Sequence, residues 1–255
     1  MILRRLGNKK KIAKEIQKHF PPHKIYIEPF FGAGGMFFNK PKAKYNIVND
    51  LDSDVFNLFN VVMNQKEELE KAFNMMPIHS DLLDYYINNE ETEPIKKALR
   101  FLFLSNLTHL GSGQAIKCSF GNDKDILLKN IDKTFELIND VKFINCDFKR
   151  FIEKYISFRN EDEKAKALIY CDPPYLGTND NYSNSFTEEQ SKELFNTLEE
   201  TGCKFAMSEF DHPFILEQAE KRNLNVIIIG ERQNIKNRRT EILVTNYSNS
   251  QQSLF

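Results

Sequence analysis

Short β-branched and aromatic runs recur along this chain between longer amphipathic stretches, and that alternation restricts the fold more than any other feature. Strands separated by helices pack most simply as a mostly parallel sheet covered by helices on both faces. Seven strand candidates stand out: Lys24–Glu28, Tyr45–Asn49, Lys142–Cys146, Ala167–Cys171, Lys204–Ser208, Asn225–Ile229 and Glu241–Tyr247. Helical patterns fall at about Lys9–His19, Ser53–Met63, Pro94–Leu107, Asp125–Asn139, Thr187–Thr201 and His212–Arg222. One interval breaks the rhythm. From about Asn64 to Asp140 the sequence is helical and polar, with no parallel strand, so residues 64–140 are expected as an insertion between a first part, 1–63, and a second, 141–255. The glycine-rich middle of the insertion, Thr108–Asn122, predicts a hairpin or mobile loop.

With 255 residues, 41% of them hydrophobic and 28% charged, the chain has the apolar content for a real core and too much of it for disorder. No apolar run approaches the ~20 residues of a membrane helix, and the basic start lacks the apolar stretch of a signal peptide, so a cytoplasmic protein is expected. Cys118, Cys146, Cys171 and Cys203 form no CxxC pair, and the histidines show no metal-ligand spacing, so no metal is expected. Cys146 and Cys171 end apolar runs and read as reduced core thiols. Lys and Arg total 35 against 36 Asp and Glu, a balance that excludes a uniformly basic surface but not a local patch. Two patches exist. Arg4, Arg5, Lys9, Lys10, Lys11, Lys14, Lys18 and Lys24 crowd the start, and Arg232, Lys236, Arg238 and Arg239 crowd the end. Such runs are ordinarily solvated faces, and they gain meaning only if the fold brings them to one rim.

Two motifs carry chemistry. The first strand runs into Glu28-Pro29-Phe30-Phe31-Gly32-Ala33-Gly34-Gly35, and the second ends at Asn49-Asp50. Glycines after a first strand let a ligand approach the backbone, and an acid ending the second strand can hold ribose hydroxyls, which points to a nucleoside-containing cofactor. A tight strand-to-loop turn accounts for the glycines equally well. A dinucleotide site is disfavoured, because GxGxxG counted from Gly32 would need glycine where Phe37 stands. The sharper motif is an apolar strand, Leu168-Ile169-Tyr170-Cys171, opening directly into Asp172-Pro173-Pro174-Tyr175. Consecutive prolines hold the chain rigid and present a carbonyl outward. Asp172 and the Pro173 carbonyl then form two fixed acceptors beside the flat face of Tyr175, a fit for a planar ring bearing an exocyclic amino group.

These pieces in this order resemble the Dam-like group of DNA adenine-N6 methyltransferases, over nearly the whole chain. The resemblance rests on Leu6-Gly7-Asn8-Lys9, the Glu28–Gly34 loop, Asn49-Asp50-Leu51-Asp52-Ser53-Asp54, the Asp172–Tyr175 loop and Asn184-Ser185-Phe186-Thr187. It implies a Rossmann-like, mostly parallel seven-stranded sheet with an inserted target-recognition subdomain. It also implies S-adenosylmethionine as cofactor and methyl transfer to the N6 amino group of an adenine flipped out of duplex DNA. By the same resemblance Arg5, Lys9, Asp50 and Asp172 contact the cofactor, while Glu28, Phe30, Gly32, Ala33 and Gly34 wall its methionine side. Asp147 and Phe148 border its adenine, although a helix N-cap and a core phenylalanine explain those two almost as well. Asp172, Pro173, Pro174 and Tyr175 carry the chemistry, and the loop Leu176–Ser185 is a candidate cover for the flipped base.

For DNA, Lys9, Lys10, Lys236, Arg238 and Arg239 are expected on phosphates, and His109, Ser112, Gln114 and Lys117 at base edges. Double-stranded DNA is the implied partner, with a cognate restriction endonuclease as a candidate second one and a nucleoid-associated setting. Methyl transfer to RNA adenine or to a protein amide is a rival reading, separable by offering each acceptor. The protein-amide type usually has Asn where Asp172 stands. A non-enzymatic DNA-binding descendant is the rival from another class, and loss of cofactor binding would mark it.

Overall fold

The computed structural model describes residues 2–3, 8–111, 113–117, 123–157, 159–177, 186–233 and 238–248, leaving aside the side chains of Leu110, Arg232, Gln233 and Arg238. Seven strands form one sheet: β1 (Ile25–Glu28), β2 (Tyr45–Asn49), β3 (Lys142–Ile144), β4 (Ala167–Cys171), β5 (Lys204–Phe210), β6 (Asn225–Gln233) and β7 (Arg238–Thr245). Their order is β3-β2-β1-β4-β5-β7-β6. β1 to β5 pair in parallel, and β7 runs antiparallel to both β5 and β6. This is the mostly parallel sheet expected from the alternation, in the Rossmann-like form that the resemblance implies. The chain builds outward from β1 in one direction and from β4 in the other, so the loops leaving β1 and β4 diverge and open a crevice at the strand ends.

Ten α-helices are described: α1 (Ala13–Gln17), α2 (Ser53–Asn64), α3 (Lys66–Met75), α4 (Ser80–Asn88), α5 (Pro94–Leu107), α6 (Asp123–Ile138), α7 (Phe148–Tyr155), α8 (Glu161–Ala165), α9 (Glu188–Glu200) and α10 (Pro213–Lys221). Successive strand residues point to opposite faces, and the core divides accordingly. Tyr26, Val48, Leu168, Tyr170, Ala206 and Leu243 face α1, α2, α3, α5 and α6. Ile27, Ile47, Ile169, Cys171, Phe205, Met207 and Val244 face α7, α9 and α10. A central strand buried on both sides reads as a continuous apolar run, and Ala167–Cys171 is buried throughout.

Among the described residues no strand of the sheet intervenes in the chain between β2 and β3, where α2 to α6 stand instead. These helices share the first core, through Phe73, Leu102, Phe103, Leu127 and Ile131. Beyond α5 the glycine-rich stretch makes a small hairpin: Thr108 bridges Ile116, the His109 N–H donates to the Ala115 carbonyl and the Lys117 N–H to the Leu107 carbonyl, each at 2.8 Å. Gly111 and Gly113 turn it with φ of +69° and +73°.

Three expectations are corrected. The single helix Lys9–His19 is instead a 3-10 turn, Lys9–Lys11, followed by α1, because the Lys9 side chain is drawn into the core rather than lying along a helix face. Arg232, Arg238 and Arg239 of the late basic cluster lie within strands that run past their expected bounds at Ile229 and Glu241, while Lys236 lies outside the described residues. Antiparallel pairing continues outward and sets Arg232 opposite Arg239 and Gln233 opposite Arg238, with a bulge near Gly230. Cys171 is a buried free thiol as expected, but Cys146 follows β3 at the surface side and is only half-buried; Cys118 lies outside the described residues.

Candidate active site

The loop after β1 is folded against the end of β2. The Phe31 N–H donates to the Asn49 carbonyl at 2.9 Å, and the Asn49 amide donates to the Pro29 and Cys146 carbonyls at 3.0 and 2.9 Å. Asp50 accepts from the Gly32 N–H with one carboxylate oxygen, at 2.5 Å, and from the Asp52 N–H with the other, at 2.8 Å. Gly32 sits at φ +53°, and a Cβ there would meet open space; Gly34, at φ +69°, is packed against the rings of Phe31 and Phe38. The two glycines therefore do different work. Gly34 permits packing and Gly32 leaves backbone exposed beside an acid. Ala33 is buried between them.

One side of this crevice is aromatic. Phe30 lies 5.6 Å from Phe148 and 6.1 Å from Phe186, and Phe148 and Phe186 are 5.9 Å apart, centroid to centroid. Asp147 caps α7, accepting from the Arg150 N–H at 2.9 Å. The cap and the aromatic contacts are thus both real, and neither prevents the pair from bordering a ligand.

The other side is ionic. The Lys9 ammonium, 2% exposed, lies 2.8 Å from Asp172 and 3.3 Å from Glu241, and 4.3 Å from the centre of the Tyr175 ring. Tyr175 donates its hydroxyl proton to Glu241 at 2.5 Å and meets Phe210 edge to face at 4.6 Å. Its ring is 8% exposed, and burial, reinforced by Asp172 and Glu241, pushes its hydroxyl well above the usual range. Glu28 ends β1, buried, and accepts the Tyr26 hydroxyl proton at 2.8 Å; burial pushes its carboxyl far up, and neighbouring Asp172 and Asp50 add to the shift. Pro173 is buried and Pro174 half-buried.

Two expected roles change on this geometry. Lys9 cannot grip phosphate, since its charge is spent inside on two carboxylates. Tyr175 is not an open platform either, because the ammonium already occupies its ring. The remaining DNA candidates are scattered over several elements. Lys10, His109 and Gln114 are exposed, whereas Lys117 lies 3.5 Å from Asp123. Arg239 donates to the Gly177 carbonyl at 3.1 Å and stacks over Phe210 at 5.3 Å, which ties it to the end of the Asp172–Tyr175 loop. Arg5, Ser112, Lys236 and the stretch 178–185 of the candidate cover loop lie outside the described residues, as does the Arg238 side chain.

Glu209 and Glu241 escaped the sequence reading. Both are 1% exposed. The sign that could have found them is an acid within or opening a mostly apolar strand run, Glu209 between Ser208 and Phe210 and Glu241 just before Ile242-Leu243-Val244. Glu209 accepts from the Leu176 N–H at 3.0 Å and the Phe210 N–H at 2.7 Å, and burial pushes its carboxyl up to about 8. Among the described residues no group of three or more His, Cys, Asp or Glu is placed to hold a metal ion, and no helix is long and apolar enough to cross a membrane.

Comparison with known proteins agrees in kind. The family described as D12 class N6 adenine-specific DNA methyltransferase matches residues 6–241. The DNA adenine methylase of Escherichia coli K12 is 26% identical over 245 residues, covering 87% of this chain and 84% of its own. That of Haemophilus influenzae is 31% identical over 186 residues, covering 66% of this chain and 61% of its own. Among solved structures, the N-terminal domain of human METTL16 in complex with SAH aligns over 93% of this chain and 68% of that one, at 10% identity and a TM-score of 0.43.

Proposed function

The chain belongs to the D12 class of N6 adenine-specific DNA methyltransferases, and from that premise we propose which of its residues perform the transfer from S-adenosylmethionine to the adenine amino group. The crevice suits that cofactor: Gly32 leaves backbone beside open space, Asp50 stands next to it, and Phe30, Phe148 and Phe186 offer an apolar wall for a purine. Asp50 would take the ribose hydroxyls and the Glu28–Gly34 loop the methionine side. When bound, the cofactor supplies a methyl group activated by a sulfonium.

The remaining work is geometric. An adenine amino nitrogen is a poor nucleophile because its lone pair is delocalised into the ring. Asp172 and the Pro173 carbonyl accept its two hydrogens, favour a pyramidal nitrogen, and stabilise the positive charge that develops there. The base reaches them by flipping out of the duplex, at a cost of a few kcal/mol met by protein contacts. With the Lys9 ammonium over its ring and its hydroxyl on Glu241, Tyr175 would serve to pack the end of this loop rather than to stack openly on the base. Residues 64–140 act as the target-recognition part, with His109 and Gln114 on the exposed hairpin at base edges, and Lys10 and Arg239 at phosphates. The reading extends to a companion restriction endonuclease whose sites this methylation would protect.

The observation that carries the assignment is the placement of Asp172, the first residue beyond β4, across the sheet's crevice from the Gly32–Asp50 loop. The experiment is methyl transfer from labelled S-adenosylmethionine to duplex DNA, RNA and protein, followed by sequencing of methylated adenines. Wild type should modify adenines in duplex DNA at one motif, and Asp172→Ala should fold yet be at least about 100-fold slower. Transfer to RNA or protein alone, or an Asp172→Ala rate within a few-fold of wild type, would overturn it.

A further inference from the structure

Tyr175 and Leu176 are held from both faces of the sheet. Glu241, on β7, takes the Tyr175 hydroxyl proton and pairs with Lys9. Glu209, on β5, takes the Leu176 N–H with one oxygen and its own neighbour's N–H, that of Phe210, with the other. β5 and β7 are antiparallel partners, in a register that sets Glu209 opposite Ile242 and Phe210 opposite Glu241. Residues directly opposite share a face and the next pair takes the other, so the two acids leave the sheet in opposite directions. Their surroundings agree: Ile242 and Leu176 belong to one core, whereas Phe210 and Tyr175 meet on the other side.

Two carboxyl groups buried to 1% exposure are a costly way to stabilise a strand pair, which well-packed apolar side chains would serve as well or better. Both nevertheless converge on two consecutive residues at the end of the Asp172–Tyr175 loop. We propose that Glu209 and Glu241 are positioning residues that clamp this loop in its reacting shape, Glu209 through the Leu176 backbone and Glu241 through the Tyr175 hydroxyl. The inference rests on the assignment of Asp172–Tyr175 as the catalytic loop.

The test uses the full chain with two readouts, only one of which needs activity. Glu209→Gln offers a single acceptor oxygen where two N–H groups point, and Glu209→Asp keeps the carboxyl group but falls short of Leu176. Amide hydrogen exchange at Leu176 should accelerate at least tenfold in both variants, while strand amides of β1 and β4 keep their protection. With labelled S-adenosylmethionine and adenine-unmethylated genomic DNA, kcat should fall at least tenfold, with KM for each substrate within threefold of wild type. For the other arm, Glu241→Ala and Tyr175→Phe are combined. If Glu241 acts through the hydroxyl, the double variant has a kcat no lower than the worse single one. Unchanged exchange at Leu176, a kcat within twofold of wild type in both Glu209 variants, or multiplicative losses in the double variant would overturn the clamp. Wild type that transfers no methyl to DNA while Leu176 still loses protection in the variants would instead overturn the functional assignment and leave the clamp standing.

Discussion

Replacing Lys9 by methionine tests the ionic half of the site with the least disturbance to packing, because the unbranched stem is kept and only the charge leaves. The ammonium is 2% exposed and lies 2.8 Å from Asp172 and 3.3 Å from Glu241. Removing one partner of a buried pair costs about 3–5 kcal/mol, mostly the penalty of the charge left behind. Asp172, at 22% exposure, can turn partly toward water, but Glu241, at 1%, cannot. The expected loss is therefore near the lower bound, about 3 kcal/mol. At ~2–4 °C per kcal/mol for a chain of this size, the midpoint should fall by roughly 6–12 °C. Urea unfolding followed by circular dichroism measures the loss, and Lys10→Met, at the exposed neighbouring position, is the control and should stay within about 0.5 kcal/mol of wild type. Adding Glu241→Gln to Lys9→Met should recover part of the loss, since the uncompensated charge goes too. A Lys9→Met loss below about 1 kcal/mol, or one equal to that of Lys10→Met, would refute a buried ammonium balancing two acids.

Burial holds the Glu209 carboxyl at about 8 against 4.5 in the unfolded chain, so the native state keeps a proton that the unfolded chain has released. The stability of wild type relative to Glu209→Gln should therefore fall as pH rises from about 4.5 to about 8, by on the order of 4 kcal/mol in unfolding experiments across that window, and a flat difference would remove the shift. Gly34→Ala should destabilise by about 2–4 kcal/mol, from a left-handed backbone and overlap with the rings of Phe31 and Phe38. Gly32→Ala should cost only about 1–2 kcal/mol in folding, yet weaken S-adenosylmethionine binding by calorimetry, because its Cβ enters the open space beside Asp50; equal affinities would place the cofactor elsewhere. Arg239→Ala should weaken binding to all duplexes and lower the log–log salt slope by about 0.9, whereas Gln114→Ala should cost about 1–3 kcal/mol on the preferred site alone. Identical methylated motifs from wild type and Gln114→Ala would move base reading off the hairpin.

The sheet was legible because its strands are buried on both faces and so appear as apolar runs bounded by polar ones. The helical interval between β2 and β3 was legible as an interruption of that rhythm. Strand ends were not: β6 and β7 continue past their apolar parts into Arg232, Gln233, Arg238 and Arg239, held by backbone pairing to which side-chain pattern is blind. In the site, the loops with unusual backbone, at Gly32 and at Pro173-Pro174, announced themselves. The burial of Lys9, which the resemblance named, did not show, because a lysine in a basic run looks solvated, and only the acids it meets beyond β4 and on β7 draw it inside. Glu209 and Glu241 were invisible for a related reason. Each acts on a partner about 30 or more positions away, and no local spacing records such a contact.

The same long-range contacts explain how one loop can be rigid without a regular element to hold it. Asp172 to Leu176 leave β4 with prolines that cannot join the sheet's pairing, so the chain must be fixed by side chains from its neighbours. Lys9 fixes Asp172, Glu241 fixes Tyr175, Glu209 fixes Leu176, and Arg239 fixes the Gly177 carbonyl. Those anchors come from the N-terminal turn, β5 and β7, which are distant in sequence and adjacent only in the folded sheet. They also leave the crevice rich in carboxyl groups, with Glu28 raised partly by Asp172 and Asp50. A site of this sign disfavours additional negative charge and would stabilise positive charge growing on an amino nitrogen if Asp172 holds it as proposed, the electrostatic change that methylation requires. Rigidity and charge thus have one source, acids placed where the sheet brings its strand ends together.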